Sequence, residues 1–291
     1  MRIDVISWRQ VAVVAVVALV ALGGACAARG QEKLVWADEF SGVGGMVPDA
    51  GNWTYEVGGG GWGNGELETY CAPGSGAGPC VAARPNAVVK DGVLHVIARK
   101  DAQGKWTSAR LTSKGLKSFQ YGRIEARIKI PAGEGVWPAF WMLGDDIDAR
   151  PWPACGELDI MENVGKEPGK IHGSVHGTGF TGMLLGTAVE LPSGKDYAAA
   201  FHTYGVIWAP GKVQYYVDNP GHPYATFTRA DLPKGAVWPL DDGRYFVLLN
   251  LAMGGAWPGL PTATTASRVE MLVDYVRVYQ DAPAAESAGK R

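Results

Sequence analysis

The sequence predicts an all-β protein in which two antiparallel sheets pack together as a sandwich. Short segments with alternating apolar and polar residues recur along the chain, and residues typical of turns separate them. Glycine is abundant, at 41 of 291 residues, as expected for a chain with many turns. The periodicity of amphipathic helices is almost absent after residue 28. Without helices to cover them, the sheets must bury their apolar faces against each other.

The clearest strand pattern lies at 121–130. Ile124, Ala126, Ile128 and Ile130 face one side, and the charged residues between them face the other. Further segments with strand character are 93–98, 171–175, 204–208, 213–217, 245–251 and 269–279. An Ala-Pro-Gly-Lys sequence joins 204–208 to 213–217 and predicts a hairpin.

Composition excludes two classes of protein and indicates the domain organisation. A formal net charge of −2 without a basic block excludes a nucleic-acid partner, which requires clustered Lys and Arg. Hydrophobic residues make up 47% of the chain, enough to bury a core and exclude a disordered protein. With no internal repeat or linker, we expect one domain at 29–280 and a flexible tail at 281–291. No feature of the sequence implies a protein partner.

Residues 1–28 have the features of a signal peptide. Arg2 and Arg9 precede an apolar run at 11–22, and small residues follow it. They predict that the folded protein is secreted or periplasmic. An uncleaved anchor over the apolar run and lipid attachment at Cys26 remain alternatives. Contact with a membrane is expected only if Cys26 carries a lipid.

The remaining cysteines suggest one disulfide. Cys71 and Cys80 bracket a short loop rich in glycine, proline and serine. Such a loop closes easily in an oxidising compartment, so we expect these two residues to be bridged. Cys155 is left over and is expected to be a small buried side chain. The spacing of the cysteines does not suggest a zinc site.

Three carboxylates crowd one short apolar segment, Gly-Glu-Leu-Asp-Ile-Met-Glu-Asn at 156–163. Like charges on one strand repel, and burying them costs free energy, so a purely structural role does not explain them. Glu157 and Asp159 share a strand face. Glu162 reaches that face only if a β-bulge lies near 160–161.

The bulge would give the carboxylates a definite chemistry. It would bring the carboxyl groups of Glu157 and Glu162 to about 5–6 Å, which suits a retaining glycosidase. Asp159 between them would push their pKa values apart, as an acid and a nucleophile require. A solvated edge strand and a calcium-binding cluster remain alternatives.

Tryptophans occur close to this acidic segment in the sequence. Trp137, Trp141 and Trp152 precede it, and Trp257 lies in a Gly-Gly-Ala-Trp-Pro-Gly turn. Flat aromatic faces stack on the apolar faces of sugar rings, although any single tryptophan could equally belong to the core. Together with the carboxylates, the tryptophans favour a carbohydrate cleft.

The acidic segment resembles the signature of glycoside hydrolase family 16, in the bulged form of the laminarinase-like branch of endo-β-1,3-glucanases. Other motifs follow in the family's order: VWADEF at 35–40, GNGELETY at 63–70, YGRIEAR at 121–127, VWPAFWML at 136–143 and GGAWPG at 254–259. The resemblance implies a β-jelly roll whose concave sheet holds an open cleft for a glucan chain. It implies no cofactor for catalysis.

The resemblance also implies roles for individual residues. Glu157 is expected to be the nucleophile, Glu162 the acid/base and Asp159 the helper between them. The residues expected to bind substrate are Asn64, Glu66, Arg123, Trp137, Trp141, His176 and Trp257. Arg123 could instead be a surface charge, and His176 could be structural.

Two further positions relate to the family. Glu39 and Asp274 match positions near a calcium ion in many members, so they could hold a structural Ca²⁺ away from the cleft. Leu67-Glu68 stands where many relatives carry glutamine, near Tyr70. This departure concerns the sugar contacts of one loop and not the chemistry.

The sequence thus predicts a secreted retaining hydrolase that cleaves internal β-1,3 bonds of laminarin-type β-glucans. A relative acting on mixed-linkage glucan or galactan, or a transglycosylase, is the alternative within the family. A non-catalytic β-glucan-binding protein is the alternative from another class. The presence of both Glu157 and Glu162 argues against this last alternative.

Overall fold

Two sheets pack face to face in the computed structural model, which describes residues 32–192 and 194–281. The strands in chain order are β1 (Glu32–Asp38), β2 (Thr54–Glu56), β3 (Glu68–Tyr70), β4 (Ala87–Lys90), β5 (Val93–Lys100), β6 (Trp106–Ser108), β7 (Arg110–Thr112), β8 (Gly122–Lys129), β9 (Val136–Gly144), β10 (Glu157–Glu162), β11 (Lys170–His176), β12 (Gly186–Glu190), β13 (His202–Ala209), β14 (Lys212–Val217), β15 (Ala225–Thr228), β16 (Tyr245–Met253) and β17 (Arg268–Asp281). The described helices are single 3-10 turns: Gly182–Leu185, Tyr197–Ala199 and Arg229–Asp231. The predicted all-β class is confirmed.

The strand order is that of a jelly roll. One sheet has ten strands, in the order β15-β14-β13-β8-β17-β5-β6-β3, with β1 paired to β17 and β4 to β5. The other has seven, in the order β12-β11-β10-β9-β16-β7-β2. Consecutive strands such as β8 and β9 lie in different sheets, so the chain crosses the sandwich repeatedly. The acidic strand β10 lies inside the seven-stranded sheet, between β9 and β11.

The core lies between the sheets and contains the inward-facing side chains of both. In β8, Ile124, Ala126 and Ile128 are fully buried, as their alternation in the sequence predicts. Burying one large aliphatic side chain stabilises a fold by about 1.5–3 kcal/mol. The charged residues of this strand face away from the core, so β8 separates the apolar interior from the outer surface of the ten-stranded sheet.

Both faces of β16 are covered, and all nine of its residues are buried. Val247 and Leu249 enter the main core. Phe246 and Leu248 point the other way and pack in a second cluster that includes Cys155. Cys155 is therefore a buried free thiol, as predicted.

All the predicted strand segments are strands, and the predicted hairpin is confirmed. Ala209 pairs with Lys212, so the turn between β13 and β14 contains two residues, Pro210 and Gly211. Gly211 has a φ of +68°, a backbone conformation that glycine adopts easily.

Some predictions concern residues at the two ends of the chain. The signal peptide at 1–28, including Cys26, and residues 282–291 lie outside the described residues. Asp281 pairs with Glu32, so the last strand runs one residue past the predicted end of the domain. Within 32–192 and 194–281, no helix has the length and apolar character needed to cross a membrane.

Cys71 and Cys80 form a disulfide, which confirms the predicted pairing. Both side chains are buried. The bridge closes the glycine-rich loop that follows β3, and it holds this loop against the end of the ten-stranded sheet.

Replacing Cys71 and Cys80 by alanine is expected to lower the free energy of unfolding by about 2–3 kcal/mol, because the bridge restricts the unfolded chain. Urea unfolding of C71A/C80A and wild type measures this difference. As a control, a reducing agent should destabilise the wild type by a similar amount and leave the double variant unchanged. Equal stability of the two proteins under oxidising conditions would contradict the prediction.

Candidate active site

A β-bulge in β10 decides where its acidic side chains point. Against β9, Asp159 pairs with Trp141 and Met161 pairs with Phe140, so Ile160 is one residue extra. The register with β11 shifts at the same place. The predicted bulge is confirmed.

The extra residue puts the three carboxylates on one face. Ile160 and Met161 are consecutive, and both enter the core. Glu157, Asp159 and Glu162 consequently share the outer face of the seven-stranded sheet, where they line one depression. This depression, with the loops that border it, is the candidate cleft.

Glycine at the start of β10 fixes where the strand begins. Gly156 has a φ of +82°, and a Cβ at this position would collide with the hydroxyl of Tyr245. Only glycine has both the conformational freedom and the small size that this position requires. Glu157 therefore begins the strand directly after a glycine that packs against the Tyr245 side chain.

Asp159 is held by two side chains of the neighbouring strand β11. Ser174 Oγ donates a hydrogen bond to Asp159 Oδ2, and His176 Nε2 lies 2.9 Å from the same oxygen. His176 Nε2 is also 4.0 Å from Glu157 Oε1. The strand register explains this group, because Glu157 pairs with His176 and Asp159 pairs with Ser174.

Burial and neighbouring charges determine the ionisation of this group. Burial alone would lower the pKa of His176, but the hydrogen bond and charge of Asp159, with the charge of Glu157, raise it to about 9. His176 is therefore a cation at neutral pH. Burial, followed by the charge of Asp159, raises the pKa of Glu157 well above its usual range, and His176 opposes that shift.

Glu162 lies at the other end of the acidic face. Burial is the main cause that raises its pKa well above the usual range, and the charge of Asp159 adds to it. Trp137 Nε1 donates a hydrogen bond to Glu162 Oε1 at 3.0 Å and acts in the opposite direction. In this environment Glu162 is expected to hold a proton at neutral pH.

The two glutamates differ in what favours their ionised forms. Glu157 accepts a hydrogen bond from Trp152 Nε1 at 2.6 Å and also faces the His176 cation. The group that favours ionised Glu162 is the neutral indole of Trp137. A proton shared by the two glutamates therefore belongs preferentially on Glu162.

Aromatic rings form one wall of the cleft, beside Glu162. Trp137 and Trp257 meet edge to face with their ring centroids 5.4 Å apart. His172 packs against Trp257 at 5.0 Å. Both tryptophans are half-buried, so part of each ring is open to a ligand.

A series of hydrogen bonds links the polar residues that line the cleft. Trp141 Nε1 donates to Asn250 Oδ1 at 2.7 Å, and Asn250 Nδ2 donates to Tyr70 Oη at 3.1 Å. Tyr70 donates to Glu66 Oε2 at 3.0 Å, and Asn64 Nδ2 donates to Glu66 Oε1 at 2.9 Å. Tyr70 and Asn64 both donate to Glu66, so the Glu66 carboxylate orients every side chain in this series of hydrogen bonds.

The family model for glycosyl hydrolases family 16 matches residues 79–277. This chain belongs to glycoside hydrolase family 16. A β-glucanase of Rhodothermus marinus is 38% identical over 258 residues, which cover 85% of each chain. The X-ray structure of an endo-β-1,3-glucanase from Pyrococcus furiosus is 42% identical with a TM-score of 0.76, covering 87% of this chain and 96% of that one. The clotting factor G alpha subunit of Tachypleus tridentatus is 36% identical over 269 residues, which cover 91% of this chain but 36% of that longer protein.

The predicted resemblance to family 16 and its laminarinase-like branch is confirmed, and the protein is a glycoside hydrolase. The structure brings most of the expected site residues together around the cleft: Asn64, Glu66, Trp137, Trp141, Glu157, Asp159, Glu162, His176 and Trp257. Their individual roles in this family 16 enzyme remain predictions.

Two cleft residues of the enzyme were missed by the sequence analysis. Arg110 of β7 lies over the rings of Trp62 and Trp141, 4.8 and 4.6 Å from their centroids, and pairs with Glu56 at 2.6 Å. Asn250 belongs to the hydrogen-bond chain described above. Arg110 lies in no recognisable motif, whereas an asparagine within the apolar strand β16 was a signal that could have been used.

Arg123 lies on the opposite side of the molecule from the cleft. It belongs to β8 and points from the outer face of the ten-stranded sheet. Its guanidinium donates to Glu32 at 2.8 Å, pairs with Glu125 and stacks on the ring of Tyr279. The prediction that Arg123 binds substrate is therefore wrong, because the polar side of β8 faces away from the seven-stranded sheet.

Arginines pair with the side chains of Glu39 and Asp274, the two residues of the predicted calcium site. Both oxygens of Glu39 accept hydrogen bonds from Arg277 at 2.8 Å. Asp274 accepts from Arg127 at 2.6 Å. Ca²⁺ takes several oxygen ligands, and guanidinium groups hold both oxygens of Glu39 and one of Asp274, so a structural calcium ion at these residues stays a prediction.

The acidic cluster itself could be considered as a metal site. The ligand atoms of Glu157, Asp159 and His176 lie within 4.8 Å of one another. However, a histidine ligand must be deprotonated, and the raised pKa of His176 keeps it protonated at neutral pH. The cluster therefore fits acid–base chemistry better than metal binding.

Replacing His176 by asparagine is expected to raise the pKa of Glu157, because the variant lacks the cation that favours the Glu157 carboxylate. If hydrolysis requires this carboxylate, the acid limb of the kcat/KM profile moves upward by about 0.5–1 pH unit. Initial rates across a pH series measure the shift.

The matched control for this experiment is W141F. The Trp141 indole donates to Asn250 and not to a carboxylate of β10, so its loss should change KM and leave the acid limb in place. An acid limb that does not move in H176N would contradict the electrostatic role of His176.

Proposed function

We propose that the protein is a secreted endo-β-1,3-glucanase that hydrolyses internal bonds of laminarin-type glucans with retention of configuration. The observation that carries this proposal is the bulged strand, which presents Glu157 and Glu162 to one aromatic-walled cleft with Asp159 between them. Membership in family 16 supports glycoside hydrolysis. The activity named for the Pyrococcus furiosus relative supports the β-1,3 linkage.

The proposed reaction has two displacement steps. In the first, a Glu157 carboxylate oxygen attacks the anomeric carbon while Glu162 gives its proton to the glycosidic oxygen. The bond to that oxygen breaks, and the sugar stays on Glu157 as an ester. In the second, Glu162 takes a proton from water, whose oxygen attacks the same carbon and releases Glu157. Two inversions restore the original configuration, and both acids return to their starting states.

The surroundings of the two glutamates support this division of roles. A nucleophile must be ionised, and His176 and Trp152 both stabilise the Glu157 carboxylate. A general acid must hold a proton, and burial beside Asp159 favours protonated Glu162. Esterification removes the negative charge of Glu157 and so lowers the pKa of Glu162, which has just given up its proton. Glu162 therefore stays ionised and can act as the base of the second step.

Asp159 is assigned a supporting role, in which it adjusts the pKa values of the two glutamates. Its charge raises the pKa of both Glu157 and Glu162. One proton can therefore serve the pair at neutral pH. Ser174 and His176 hold the Asp159 carboxyl in place for this task.

The walls of the cleft are assigned to substrate binding. The half-buried rings of Trp137, Trp141 and Trp257 can stack on the apolar faces of sugar rings. Asn64 and Glu66 line the same cleft and offer polar atoms for sugar hydroxyls. The cleft runs along the outer face of a sheet, which suits a chain that enters and leaves at both ends.

Export is a further part of the proposal. A signal-like segment at 1–28 and a disulfide in the folded domain both suit an oxidising compartment outside the cytoplasm. Mass spectrometry of the mature N-terminus tests it. A free terminus near residue 28 is expected, an acylated Cys26 would indicate lipid anchoring, and an intact Met1 would contradict processing.

Laminarin-type β-1,3-glucan is expected to be cleaved faster than lichenan and far faster than cellulose. Initial rates of reducing-sugar release from a panel of polysaccharides measure this order. Comparable rates on cellulose, or activity confined to agarose or carrageenan, would contradict the assigned linkage. A faster rate on lichenan would favour a mixed-linkage enzyme, and glucan binding without hydrolysis would indicate a binding protein.

E157S is expected to lower hydrolysis by about 10³-fold or more, because it removes the nucleophile. The variant should remain folded and bind glucan, since the walls of the cleft are unchanged. Given an α-glucosyl fluoride, which mimics the covalent intermediate, it should join sugars without hydrolysing the product. Chromatography of the products and a glucan pull-down measure both properties.

E162A provides the matched test of the acid/base role. It should still form the intermediate from an activated aryl glycoside, whose leaving group needs no proton. Azide should then restore turnover and give a β-glycosyl azide, because azide needs no general base. An α-azide would mean that the two roles are exchanged, and an inverted wild-type product would exclude the two-step mechanism.

A further inference from the structure

Glu68 is a buried acid behind the cleft wall that the proposed reaction does not use. Its side chain in β3 is 1% exposed. Glu68 Oε2 accepts a hydrogen bond from the Met253 N–H at the end of β16, at 2.7 Å, and the carboxyl group of Glu66 lies close enough to raise the pKa of Glu68. Within the described part of the chain, no donor reaches Oε1. A protonated Glu68 could use this oxygen as a donor, whereas an ionised one would leave it unpaired.

Glu66 connects this acid to the cleft. Its carboxylate lines the cleft and accepts hydrogen bonds from Asn64 and Tyr70. An O–H of Glu68 would be its third donor. The backbone carbonyl of Asn64 also accepts from the Ala256 N–H at 2.8 Å, so the loop before β3 is joined to the loop that contains Trp257.

The groups around Glu68 favour its neutral form. Burial has the largest effect, followed by the hydrogen bond and charge of Glu66, and together they raise the pKa of Glu68 to about 9. Tyr70 of the same strand is neutral, because burial raises its pKa well above the usual range. The positive charge of Arg110 in β7 opposes this rise in the pKa of Tyr70. On β6, the residue paired with Glu68 is the uncharged Trp106.

We propose that Glu68 is a positioning residue: as the neutral acid, it donates a hydrogen bond to Glu66 and so holds Asn64 and Tyr70 in place at the cleft. The neutral acid can donate to Glu66 and accept from Met253 at the same time. Loss of its proton puts two negative carboxylates in contact inside the wall, where repulsion is strong. The hydrogen bonds that converge on Glu66 are then disrupted.

Thermal unfolding across a pH series tests the neutral state of Glu68. E68Q keeps both hydrogen bonds, since an amide can donate and accept, but it cannot ionise. A carboxyl whose pKa rises on folding stabilises the fold fully below its ordinary value of 4.5, and this contribution is lost as pH rises to about 9. The Tm of the wild type should therefore fall relative to that of E68Q between about pH 5 and 9. At about pH 9, E68Q should have a higher Tm than the wild type.

E125Q is the matched control. Glu125 is also buried, but it accepts a hydrogen bond from Tyr216 and pairs with Arg123. Removing its charge takes away one of the two carboxylate partners of Arg123, so E125Q should be less stable than the wild type throughout this range. Parallel Tm curves for wild type and E68Q, or lower stability of E68Q at alkaline pH, would overturn the proposal.

Kinetics on laminarin separate positioning from a purely structural role. As pH passes through about 9, the wild-type KM should rise several-fold more than that of E68Q, because loss of the His176 proton affects both proteins alike. E68M, which cannot donate, should have a raised KM already at neutral pH with a smaller change in kcat. The same alkaline rise in E68Q as in the wild type would overturn the proposal.

These kinetics rest on the proposed function, because they require laminarin to be a substrate. If the wild type hydrolyses no glucan, the proposed function fails while the comparison of Tm curves still decides the state of Glu68. The two proposals can therefore fail separately.

Discussion

A regular strand alternates its side chains between two faces, so β10 could not present both Glu157 and Glu162 to the cleft without one extra residue. Ile160 is that residue, and it enters the core together with Met161. Burial of two consecutive apolar side chains holds the bulge in place, because removing it would push an acid into the core or an apolar side chain into water. The stability of the sandwich and the geometry of the acidic face therefore depend on the same local irregularity.

The bulge places three carboxylates on one face, and the neighbouring strands give the two glutamates different proton affinities. Both are partly buried beside Asp159, which favours protonated forms of each. β11 contributes the His176 cation on the side of Glu157, whereas β9 contributes the neutral Trp137 indole on the side of Glu162. Two acids of the same type can thus take different parts in one reaction, since their environments separate their proton affinities. The residues that separate the proton affinities all lie in β9, β10, β11 and the loop before β10.

Much of this protein could be predicted from its sequence, because the features concerned are local. Alternation at 121–130 reveals a strand with one apolar face, since side chains of a strand must alternate. The spacing of Glu157, Asp159 and Glu162 implies a bulge for the same geometric reason. Cys71 and Cys80 are close in sequence, so their pairing needs only a short loop. In each case the partners lie within a few residues, and covalent geometry restricts what the chain can do.

Tertiary structure alone decided which distant strands meet at the cleft. The polar side of β8 is evident in the sequence, but only sheet order shows that Arg123 points away from the substrate face. Arg110 and Asn250 reach the cleft because β16 pairs with both β7 and β9. Glu68 has an ordinary place in its motif, and its burial against Glu66 appears only when β3 meets the end of β16. Sequence determines which face of a strand is polar, whereas packing between strands far apart in the chain determines what that face meets and whether its acids keep their protons.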